Sequence, residues 1–528
     1  MNNIKVFVSD DVNESKLVPL KEAGFTVEKR IKLPPEELAA ALQDSDGLIV
    51  RSETKVPADL MDQLPKLRVI GRAGVGVDNI DVKAATARGI VVMNAPDGNT
   101  ITTAEHTIAL LVSMARNVPQ AHAKLQTGAW DKKSFVGVEL NGKILGVIGS
   151  GRIGRHVAKI AKGFGMTILA FDPFVSVEQA KDFGFETGTL DDVFSRADFL
   201  TIHTPVTDET RNIIGREAFA KMKQGVRIVN CARGGLVDET ALLEAIENGT
   251  VAAAALDVFS TEPLPNDSPL LGNPKIITTP HLGASTTEAQ EGVALTVAEQ
   301  MRDFLLSGEL RNAVNAPSMA ATELEAFQPF IDLGEKLGRF QAQIMNENPV
   351  ASVRIEYAGE LTGKDAAPVT RAFLAGLLKD VSARVNVVNA LHIAEERGIE
   401  ITTSYTKSKR SSFDIRTVVS SAQGEQIASG MVFANGEGRI TEIGTFSIEV
   451  VPSGFMLLTK NKDVPGVIGR IGTLLGENAV NISRFYLGRE AKGGEALAII
   501  EIDSPLEEKV LADLRNLEAV NVARQVKL

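Results

Sequence analysis

Short apolar runs rich in Val and Ile alternate with helical patterns over the first hundred residues. This alternation predicts a parallel sheet with helices covering its faces. The predicted strands are Lys5–Val8, Phe25–Val27, Leu48–Val50, Arg68–Ile70 and Ile90–Met93. A second alternating block begins with a predicted strand at Lys143–Ile148 and runs to about Thr279, which indicates a second sheet of the same kind.

Two long helical patterns bracket this central block. Thr102 and Glu105 have the spacing of a capping box, which predicts a helix beginning near Thr102. Ser285 and Glu288 predict the start of a second helix in the same way. The apolar stripe of the second helix consists of Val293, Val297, Met301 and Phe304. We therefore expect the central block to be an inserted domain, with the chain returning to the first lobe and a cleft between the lobes.

The chain after the second long helix is divided by a predicted linker at Arg311–Pro317. Between this linker and about Val451, helical patterns alternate with strand patterns. The residues of this segment do not indicate a particular chemistry. From Gly454 the pattern runs strand, helix, strand, strand, helix, strand, which is the ferredoxin-like order. Its strands are predicted at Phe455–Thr459, Val480–Leu487, Ala496–Ile502 and Val520–Lys527, and its helices near Pro465 and Pro505.

Composition narrows the function. A chain of 528 residues is too long for one core and predicts several domains. Its net charge of -11 argues against nucleic-acid and anionic-membrane partners, which need a basic surface. The first apolar stretch ends at Asp10, too early for a signal peptide, and no stretch has the length of a membrane span. The single cysteine, Cys231, allows no intrachain disulfide, so we expect a cytoplasmic protein.

A GxGxxG pattern formed by Gly149, Gly151 and Gly154 follows the strand at Lys143–Ile148 and opens a helical pattern. The first glycine permits a tight turn, the second admits a pyrophosphate, and the third lets helix and strand pack closely. Asp172 follows the next strand, where its carboxylate can bind a ribose 2′-hydroxyl and repel a 2′-phosphate. The pattern predicts an NAD site; the alternative is a glycine-rich turn without a ligand.

Polar residues stand where the later strands of this block end, and such ends share one edge of a parallel sheet. His281 is the candidate base for a hydroxyl proton, and Arg233 is the candidate cation for a carboxylate and a carbonyl oxygen. Glu262 can fix the tautomer of His281. Each residue also has an ordinary structural explanation, and we interpret Cys231 as a small packing residue. Together with the dinucleotide pattern, they predict hydride transfer.

Four motifs in this block resemble those of the D-isomer-specific 2-hydroxyacid dehydrogenases: GSGRIG, NCARGGLVDE, ALDVFSTEP and PHLGAST. The resemblance implies NAD as cofactor, no metal, and a catalytic triad of Arg233, Glu262 and His281. It also implies cofactor contacts beyond the three glycines. These contacts are Arg152, Ile153, Asp172, Thr204, Cys231, Ala232, Asp257, His281, Gly283 and Ala284.

Two earlier segments, VRS at 50–52 and GRAGVGVD at 71–78, resemble substrate loops of the long bacterial members that act on D-3-phosphoglycerate. This resemblance implies a small anionic substrate, oxidised with NAD⁺ to 3-phosphohydroxypyruvate in the first step of L-serine synthesis. The implied substrate residues are Arg51, Ser52, Arg72, Gly74, Val75 and Gly76. Lys132 stands where some members have an arginine from the neighbouring subunit, so that contact loses the guanidinium fork.

The end of the chain resembles an ACT domain, in which Asn461, Asp463 and Asn481 fall where relatives bind L-serine as an effector. The middle resembles an intervening domain that helps assembly and can bind an effector. The fold implied is a Rossmann-type domain inserted in a flavodoxin-like domain, then an α/β intervening domain and a ferredoxin-like ACT domain. The expected boundaries are 1–98 with 285–316, then 99–284, 317–452 and 453–528. A homo-oligomer, a tetramer, is expected.

Two other functions stay open at this point. A glyoxylate or hydroxypyruvate reductase, or another D-2-hydroxyacid dehydrogenase, would use the same chemistry on another substrate. An NAD-sensing scaffold of the kind found among transcriptional corepressors would keep the dinucleotide site without turnover. The complete triad argues against the scaffold, and the arginines near the N-terminus and the ACT-like ending argue against the reductase.

Overall fold

The computed structural model describes residues 4–317, 321–345, 349–379, 381, 384–406 and 412–528. The chain forms four sheets of five, seven, six and four strands. In the described part of the chain, no helix is both long and apolar enough to cross a membrane.

The first sheet is parallel, with the strand order β2-β1-β3-β4-β5. This is the flavodoxin-like order, and it confirms the predicted fold of the first lobe. Its apolar strands are buried by helices on both faces, as a parallel sheet requires. The elements are β1 (Lys5–Val8), a 3-10 helix (Glu14–Lys16), α1 (Val18–Glu22), β2 (Thr26–Lys29), α2 (Pro35–Leu42), β3 (Gly47–Val50), α3 (Ala58–Asp62), β4 (Val69–Arg72), α4 (Val82–Ala87) and β5 (Val91–Met93).

The second sheet is also parallel and has the order β12-β11-β10-β9-β6-β7-β8, which is a Rossmann arrangement. The strand order reverses between β6 and β9, where such folds bind their ligand. The elements are α5 (Thr100–Ala115), α6 (Val118–Gln126), β6 (Ile144–Ile148), α7 (Arg152–Gly163), β7 (Thr167–Phe171), α8 (Val177–Asp182), β8 (Glu186–Thr187), α9 (Leu190–Arg196), β9 (Phe199–Ile202), α10 (Arg216–Lys221), β10 (Val226–Asn230), α11 (Glu239–Glu247), β11 (Val251–Leu256) and β12 (Ile276–Thr278).

The chain then returns to the first lobe through α12 (Thr287–Ser307), whose apolar face lies in the core of the first sheet. The two crossings between the lobes run side by side. The Thr103 hydroxyl donates to the Gly283 carbonyl over 2.9 Å, and the Thr102 and Thr286 hydroxyls lie 3.2 Å apart. The inserted arrangement is therefore as expected from the sequence, while the numerical domain boundaries stay a prediction.

Both predicted capping boxes are wrong in register. The first helix begins at Thr100, two residues earlier than predicted, because the Asn99 carbonyl already accepts from the Thr103 N–H. The second helix is capped by Thr286, whose hydroxyl accepts from the Ala289 N–H over 3.2 Å. Ser285 belongs to the preceding turn instead, where its N–H donates to the Leu282 carbonyl.

The third sheet has the order β14-β13-β15-β16-β17-β18, with β13 and β14 parallel and the other pairs antiparallel. Helices α13 and α14 pack against each other and against this sheet. Its loop at 385–389 also contacts the first lobe, where the Asn386 amide donates to the Gly89 carbonyl over 2.9 Å. The elements are α13 (Ala321–Ile344), β13 (Val350–Tyr357), a 3-10 helix (Gly359–Leu361), α14 (Ala367–Leu377), α15 (Ala390–Glu396), β14 (Glu400–Tyr405), β15 (Ile415–Ser421), β16 (Gly424–Val432), β17 (Gly438–Ile443) and β18 (Phe446–Val450).

The last sheet is antiparallel and has the order β20-β21-β19-β22, so the ferredoxin-like prediction is confirmed. Two helices cover one face, and the other face adds Met456, Leu458 and Ile499 to the core of the third sheet. The ACT-like domain is thus covered on both faces within one chain. The elements are β19 (Phe455–Lys462), α16 (Val467–Glu477), β20 (Ile482–Arg489), β21 (Glu495–Ile502), α17 (Glu508–Arg515) and β22 (Val520–Lys527).

Candidate active site

The glycine loop after β6 has the geometry that a dinucleotide needs. Gly149 has a φ of +87°, and a Cβ there would lie 2.7 Å from the His203 carbonyl oxygen. A Cβ at Gly154 would lie 2.1 Å from the Gly149 oxygen, so the helix can approach the strand only without a side chain. Gly151, by contrast, faces open space. Each glycine thus has the local environment that its predicted task requires.

The residues around the loop also fit NAD. Helix α7 begins at Arg152 without a side-chain cap, so its first N–H groups are available to a pyrophosphate. Asp172 accepts from the Ser150 N–H over 2.8 Å, which places its carboxylate beside the loop. The Thr204 hydroxyl is buried and has no hydrogen-bond partner among the described residues, as expected for a group that a ligand satisfies. Arg152, however, pairs with Asp97 of the first lobe at 3.1 Å.

Substitution of Asp172 tests the cofactor preference. Asp172→Ala should raise KM for NAD⁺ about tenfold or more, because hydrogen bonds to a charged group contribute about 1.5–3 kcal/mol. It should also narrow the preference for NAD⁺ over NADP⁺, since a repulsive charge is lost. Initial rates with both cofactors measure this, with the exposed Asp182→Ala as the matched control. An unchanged cofactor ratio in Asp172→Ala would contradict the ribose contact.

His281 and Glu262 form the predicted imidazole–carboxylate pair. Nδ1 of His281 lies 2.7 Å from one Glu262 oxygen, and the other oxygen accepts from the Phe259 N–H over 3.0 Å. Burial acts to raise the pKa of Glu262, but these two hydrogen bonds outweigh it and lower the pKa. Glu262 therefore stays ionised and accepts the Nδ1 proton, which leaves Nε2 of His281 as the basic atom.

The backbone at His281 is in the left-handed region, with a φ of +54°. Asp257, which is fully buried, holds this turn with its own carbonyl and its carboxylate. The carbonyl accepts from the His281 N–H over 2.9 Å, and the carboxylate accepts from the Leu282 and Gly283 N–H groups, each over 2.8 Å. In the structure Asp257 and Gly283 hold the turn that carries His281, and the cofactor contact that the resemblance implied for them stays a prediction.

His106 is a member of this site that the sequence analysis missed. Its Nε2 lies 3.2 Å from an Asp257 oxygen, and the Thr279 hydroxyl donates to the same carboxylate over 2.6 Å. These contacts hold the pKa of Asp257 below its usual range although burial acts to raise it. His106 stands beside Thr103 and Thr107 on the buried side of α5, and this polar group within an apolar stripe was the available signal.

Atoms of His106, Cys231 and Asp257 all lie within 4.8 Å of one another, a grouping whose chemistry could suit a metal ion. The hydrogen bonds already in place engage the histidine and the carboxylate. Burial raises the pKa of the Cys231 thiol to about 12, so it stays protonated at neutral pH. Cys231 is buried in the core beside the site, which is consistent with a packing residue, and the cofactor contact implied for it stays a prediction.

The candidate substrate cations gather where the two lobes meet. Arg233 reaches from the end of β10 to the first lobe, where its Nε lies 3.2 Å from the Asp78 carboxylate. Burial and the positive charge of Arg233 lower the pKa of Arg72 to about 10, and Arg51 acts in the same direction. The Nε of Arg72 is buried without a hydrogen-bond partner among the described residues. These features concentrate positive charge where the two lobes meet, as the binding of an anion requires.

The backbone loop after β4 lies against these arginines. A Cβ at Gly76 would be 2.1 Å from a nitrogen of Arg233, and a Cβ at Gly74 would be 1.8 Å from a nitrogen of Arg72. Val75 is held through its carbonyl by the Asn94 amide. The remaining predicted residues Ser52 and Lys132 are exposed, Ala284 and Ile153 are partly buried, and Ala232 accepts from Arg233 through its carbonyl over 2.7 Å.

The three predicted effector residues do not meet within one chain. Asn461 and Asp463 lie at the end of β19, where Asp463 accepts from the Gly493 N–H over 3.1 Å. Asn481 precedes β20 and donates to Asp503 over 2.7 Å. Because Ile482 pairs with Ile502 and Asn461 pairs with Ala496, Asn481 is at the opposite end of the sheet.

Comparisons with known proteins found relatives of the whole chain. Three family descriptions match: the D-isomer specific 2-hydroxyacid dehydrogenase NAD binding domain at residues 108–283, the D-3-phosphoglycerate dehydrogenase intervening domain at 326–444, and the ACT domain at 455–519. The chain is 42% identical to D-3-phosphoglycerate dehydrogenase of Bacillus subtilis over 99% of both chains. The same enzyme of Archaeoglobus fulgidus is also 42% identical, over 99% of this chain and 100% of its own.

Among solved structures, the chain resembles the TT0316 protein from Thermus thermophilus, with a TM-score of 0.55 and 35% identity. That similarity covers 59% of this chain and 100% of the other. A glyoxylate reductase from Paecilomyes thermophila gives a TM-score of 0.55 at 31% identity, over 60% of this chain and 99% of the other.

Proposed function

This chain belongs to the D-3-phosphoglycerate dehydrogenases, and on that premise we propose that His281, Glu262 and Arg233 carry out its reaction. The reaction is the oxidation of D-3-phosphoglycerate to 3-phosphohydroxypyruvate with NAD⁺, the first step of L-serine synthesis. The observation that carries the assignment is the 2.7 Å contact between Nδ1 of His281 and Glu262, which leaves Nε2 as the atom that can accept a proton.

In this mechanism His281 takes the proton from the C2 hydroxyl through Nε2, and Glu262 stabilises the imidazolium that forms. Arg233 binds the substrate carboxylate and stabilises the carbonyl oxygen as it develops. The bound NAD⁺ supplies the hydride acceptor. Gly151, the N-terminus of α7, Asp172 and the unsatisfied Thr204 hydroxyl hold and orient that cofactor.

We assign the substrate phosphate to Arg51 and Arg72, with Ser52 and the backbone of Gly74, Val75 and Gly76 beside them. The support is electrostatic: burial and like charges depress the pKa of Arg72, and an anion would remove that repulsion. A reductase acting on small unphosphorylated acids has no need of this charge. The guanidinium groups of Arg51 and Arg72, in addition to that of Arg233, therefore favour a substrate that is anionic at both ends.

A spectrophotometric NADH assay with phosphorylated and unphosphorylated 2-hydroxy acids tests the proposal. D-3-phosphoglycerate should be oxidised with a much higher kcat/KM than D-glycerate or glycolate, and Arg72→Ala should remove most of that preference. A preference for the unphosphorylated acids would instead favour the glyoxylate or hydroxypyruvate reductase. Absence of turnover with all of them would favour an NAD-sensing role.

L-serine is proposed as the effector, at a site formed between two copies of the ACT domain. β20 is an edge strand of its sheet, and antiparallel pairing of two such edges would bring Asn481 of one copy near Asp463 and Asn461 of the other. Addition of L-serine to the assay tests this. Inhibition that Asp463→Ala abolishes supports the site; inhibition that it leaves intact places serine elsewhere.

A homotetramer is proposed as the assembly, supported by the segment 118–136. Helix α6 has no buried residue, Trp130 is 85% exposed and Val136 is 81% exposed, an arrangement that a neighbouring subunit would cover. Lys132 would then face a second active site. We propose a cytoplasmic location because the one cysteine is buried and needs no oxidising compartment.

Replacement of Trp130 tests this interface. Trp130→Glu should divide the tetramer into dimers held by the C-terminal domains, because a charge cannot be buried in an apolar contact without a partner. Light scattering coupled to size exclusion measures the mass, and Leu306→Glu, another exposed apolar position, is the control. A Trp130→Glu tetramer would place the interface elsewhere.

A further inference from the structure

A carboxylate of the protein lies where the catalytic arginine would bind the carboxylate of a substrate. The partner of Arg233 across the cleft is Asp78, with Nε and a carboxylate oxygen 3.2 Å apart. Asp78 belongs to the loop after β4 in the first lobe, whereas Arg233 follows β10 in the second. This ion pair therefore joins the two lobes at the site of chemistry.

The local backbone is built so that the two groups can meet. A Cβ at Gly76 would lie 2.1 Å from a nitrogen of Arg233 and 2.7 Å from the Asp78 oxygen, so only glycine leaves room for the pair. The neighbouring Asn79 is fixed, because its amide donates to the Arg51 carbonyl over 2.8 Å and to the Thr54 carbonyl over 2.6 Å. Asp78 is thus tied to the loop that carries Arg51.

The charged groups around Asp78 indicate what its carboxylate does in the cleft. Arg233 and Arg51 both act to lower the pKa of Arg72, while Asp78 and Asp10 act to raise it. The side chains of Arg51 and Arg233 each repel that of Arg72, and Asp78 offsets part of this repulsion. The side chain of Asp78 is 79% exposed and stays hydrated, so separating it from Arg233 would cost little free energy.

We propose that Asp78 determines substrate affinity and specificity as an internal counter-ion that the substrate must replace. In the free enzyme its carboxylate holds Arg233; the substrate carboxylate, which has the same chemistry, then takes over the guanidinium. The inference rests on the proposed role of Arg233 as the carboxylate ligand. A compound without a carboxylate cannot make this exchange, so Asp78 selects 2-hydroxy acids over simple alcohols.

If the substrate carboxylate replaces Asp78, removing the charge of Asp78 should improve substrate binding. Asp78→Asn should lower KM for D-3-phosphoglycerate about two- to fivefold, the range for an exposed ion pair, while kcat stays within about twofold. Oxalate, a carboxylate inhibitor without a phosphate, should bind more tightly by a similar factor. Asp62→Asn is the matched control, since Asp62 is another exposed carboxylate of this lobe, paired with Arg88 at 2.7 Å.

The opposite result is also clear. If Asp78 merely positions Arg233, Asp78→Asn will raise KM or lower kcat, and oxalate will bind no better; either result overturns the proposal. An unchanged KM and an unchanged oxalate affinity would overturn it as well.

A second background separates this inference from the proposed function. In Arg233→Gln the effect of Asp78→Asn on KM should vanish, because the ion pair no longer exists. If Arg233→Gln alone leaves KM and turnover unchanged, the role of Arg233 itself is wrong. If Arg233→Gln impairs the enzyme but Asp78→Asn does not lower KM, only the inference about Asp78 fails.

Discussion

Replacement of His281 by asparagine should lower turnover about a hundredfold or more and leave NADH binding nearly unchanged. The substitution removes the only group proposed to accept the hydroxyl proton. Asparagine is the informative choice because it tolerates the left-handed backbone found at this position, whereas most residues are strained there. Steady-state rates and NADH fluorescence titration measure the two quantities, and thermal unfolding shows whether the fold is retained.

His392→Gln is the matched control for this experiment, since His392 is a partly exposed histidine of α15 in the third domain. It should have the wild-type rate. Turnover in His281→Asn within a few-fold of the wild type would mean that another group takes the proton, and His106 would be the next residue to substitute.

Arg233→Gln should lower kcat/KM for D-3-phosphoglycerate about 10²- to 10³-fold, the typical effect of removing a donor that stabilises a developing oxyanion. Arg233→Lys should fall between the wild type and Arg233→Gln, because lysine keeps the charge but cannot bind the carboxylate with a planar fork. NADH binding should persist in both, since Arg233 follows β10 whereas the cofactor loop follows β6. Initial-rate kinetics with saturating NAD⁺ provides the measurement.

Arg216→Gln is a suitable control, because Arg216 is an exposed arginine of the same lobe paired with Glu244 on the surface. If Arg233→Gln had only a small effect, comparable to that of the control, Arg72 and Arg51 would be the remaining candidates for binding the substrate carboxylate. Arg233 would then be removed from the proposed triad, whereas the assignment of His281 would stand.

The positions of many strands, and the polar residues that follow them, could be predicted from the sequence. Both depend on the local pattern of apolar and polar residues. The predicted strand Lys5–Val8 coincides with the structure, since continuous apolar runs in a parallel sheet have few alternatives. Gly149, Gly154 and Asp172 were predictable because a strand, a tight turn and a helix leave each of them one task.

Contacts between segments that are distant in sequence could not be predicted in this way. The pairing of Arg233 with Asp78 spans 155 residues. The register of the last sheet, which separates Asn481 from Asn461 and Asp463, likewise depends on how distant strands pair. The hydrogen bonds of Asp257 to Leu282 and Gly283 depend on how two loops meet, so they could not be predicted from the sequence either. The helix starts near Thr102 and Ser285 were wrong for a similar reason, because neighbouring turns compete for the cap.

The side-by-side crossings between the lobes have a mechanical consequence. Two chain crossings joined by the Thr103–Gly283 hydrogen bond restrict the relative movement of the lobes more than one connection would. We expect the movement that remains to be a rotation that opens or narrows the cleft. Because the Arg233–Asp78 ion pair also joins the lobes, we expect a substrate carboxylate that replaces Asp78 to make this rotation easier as well.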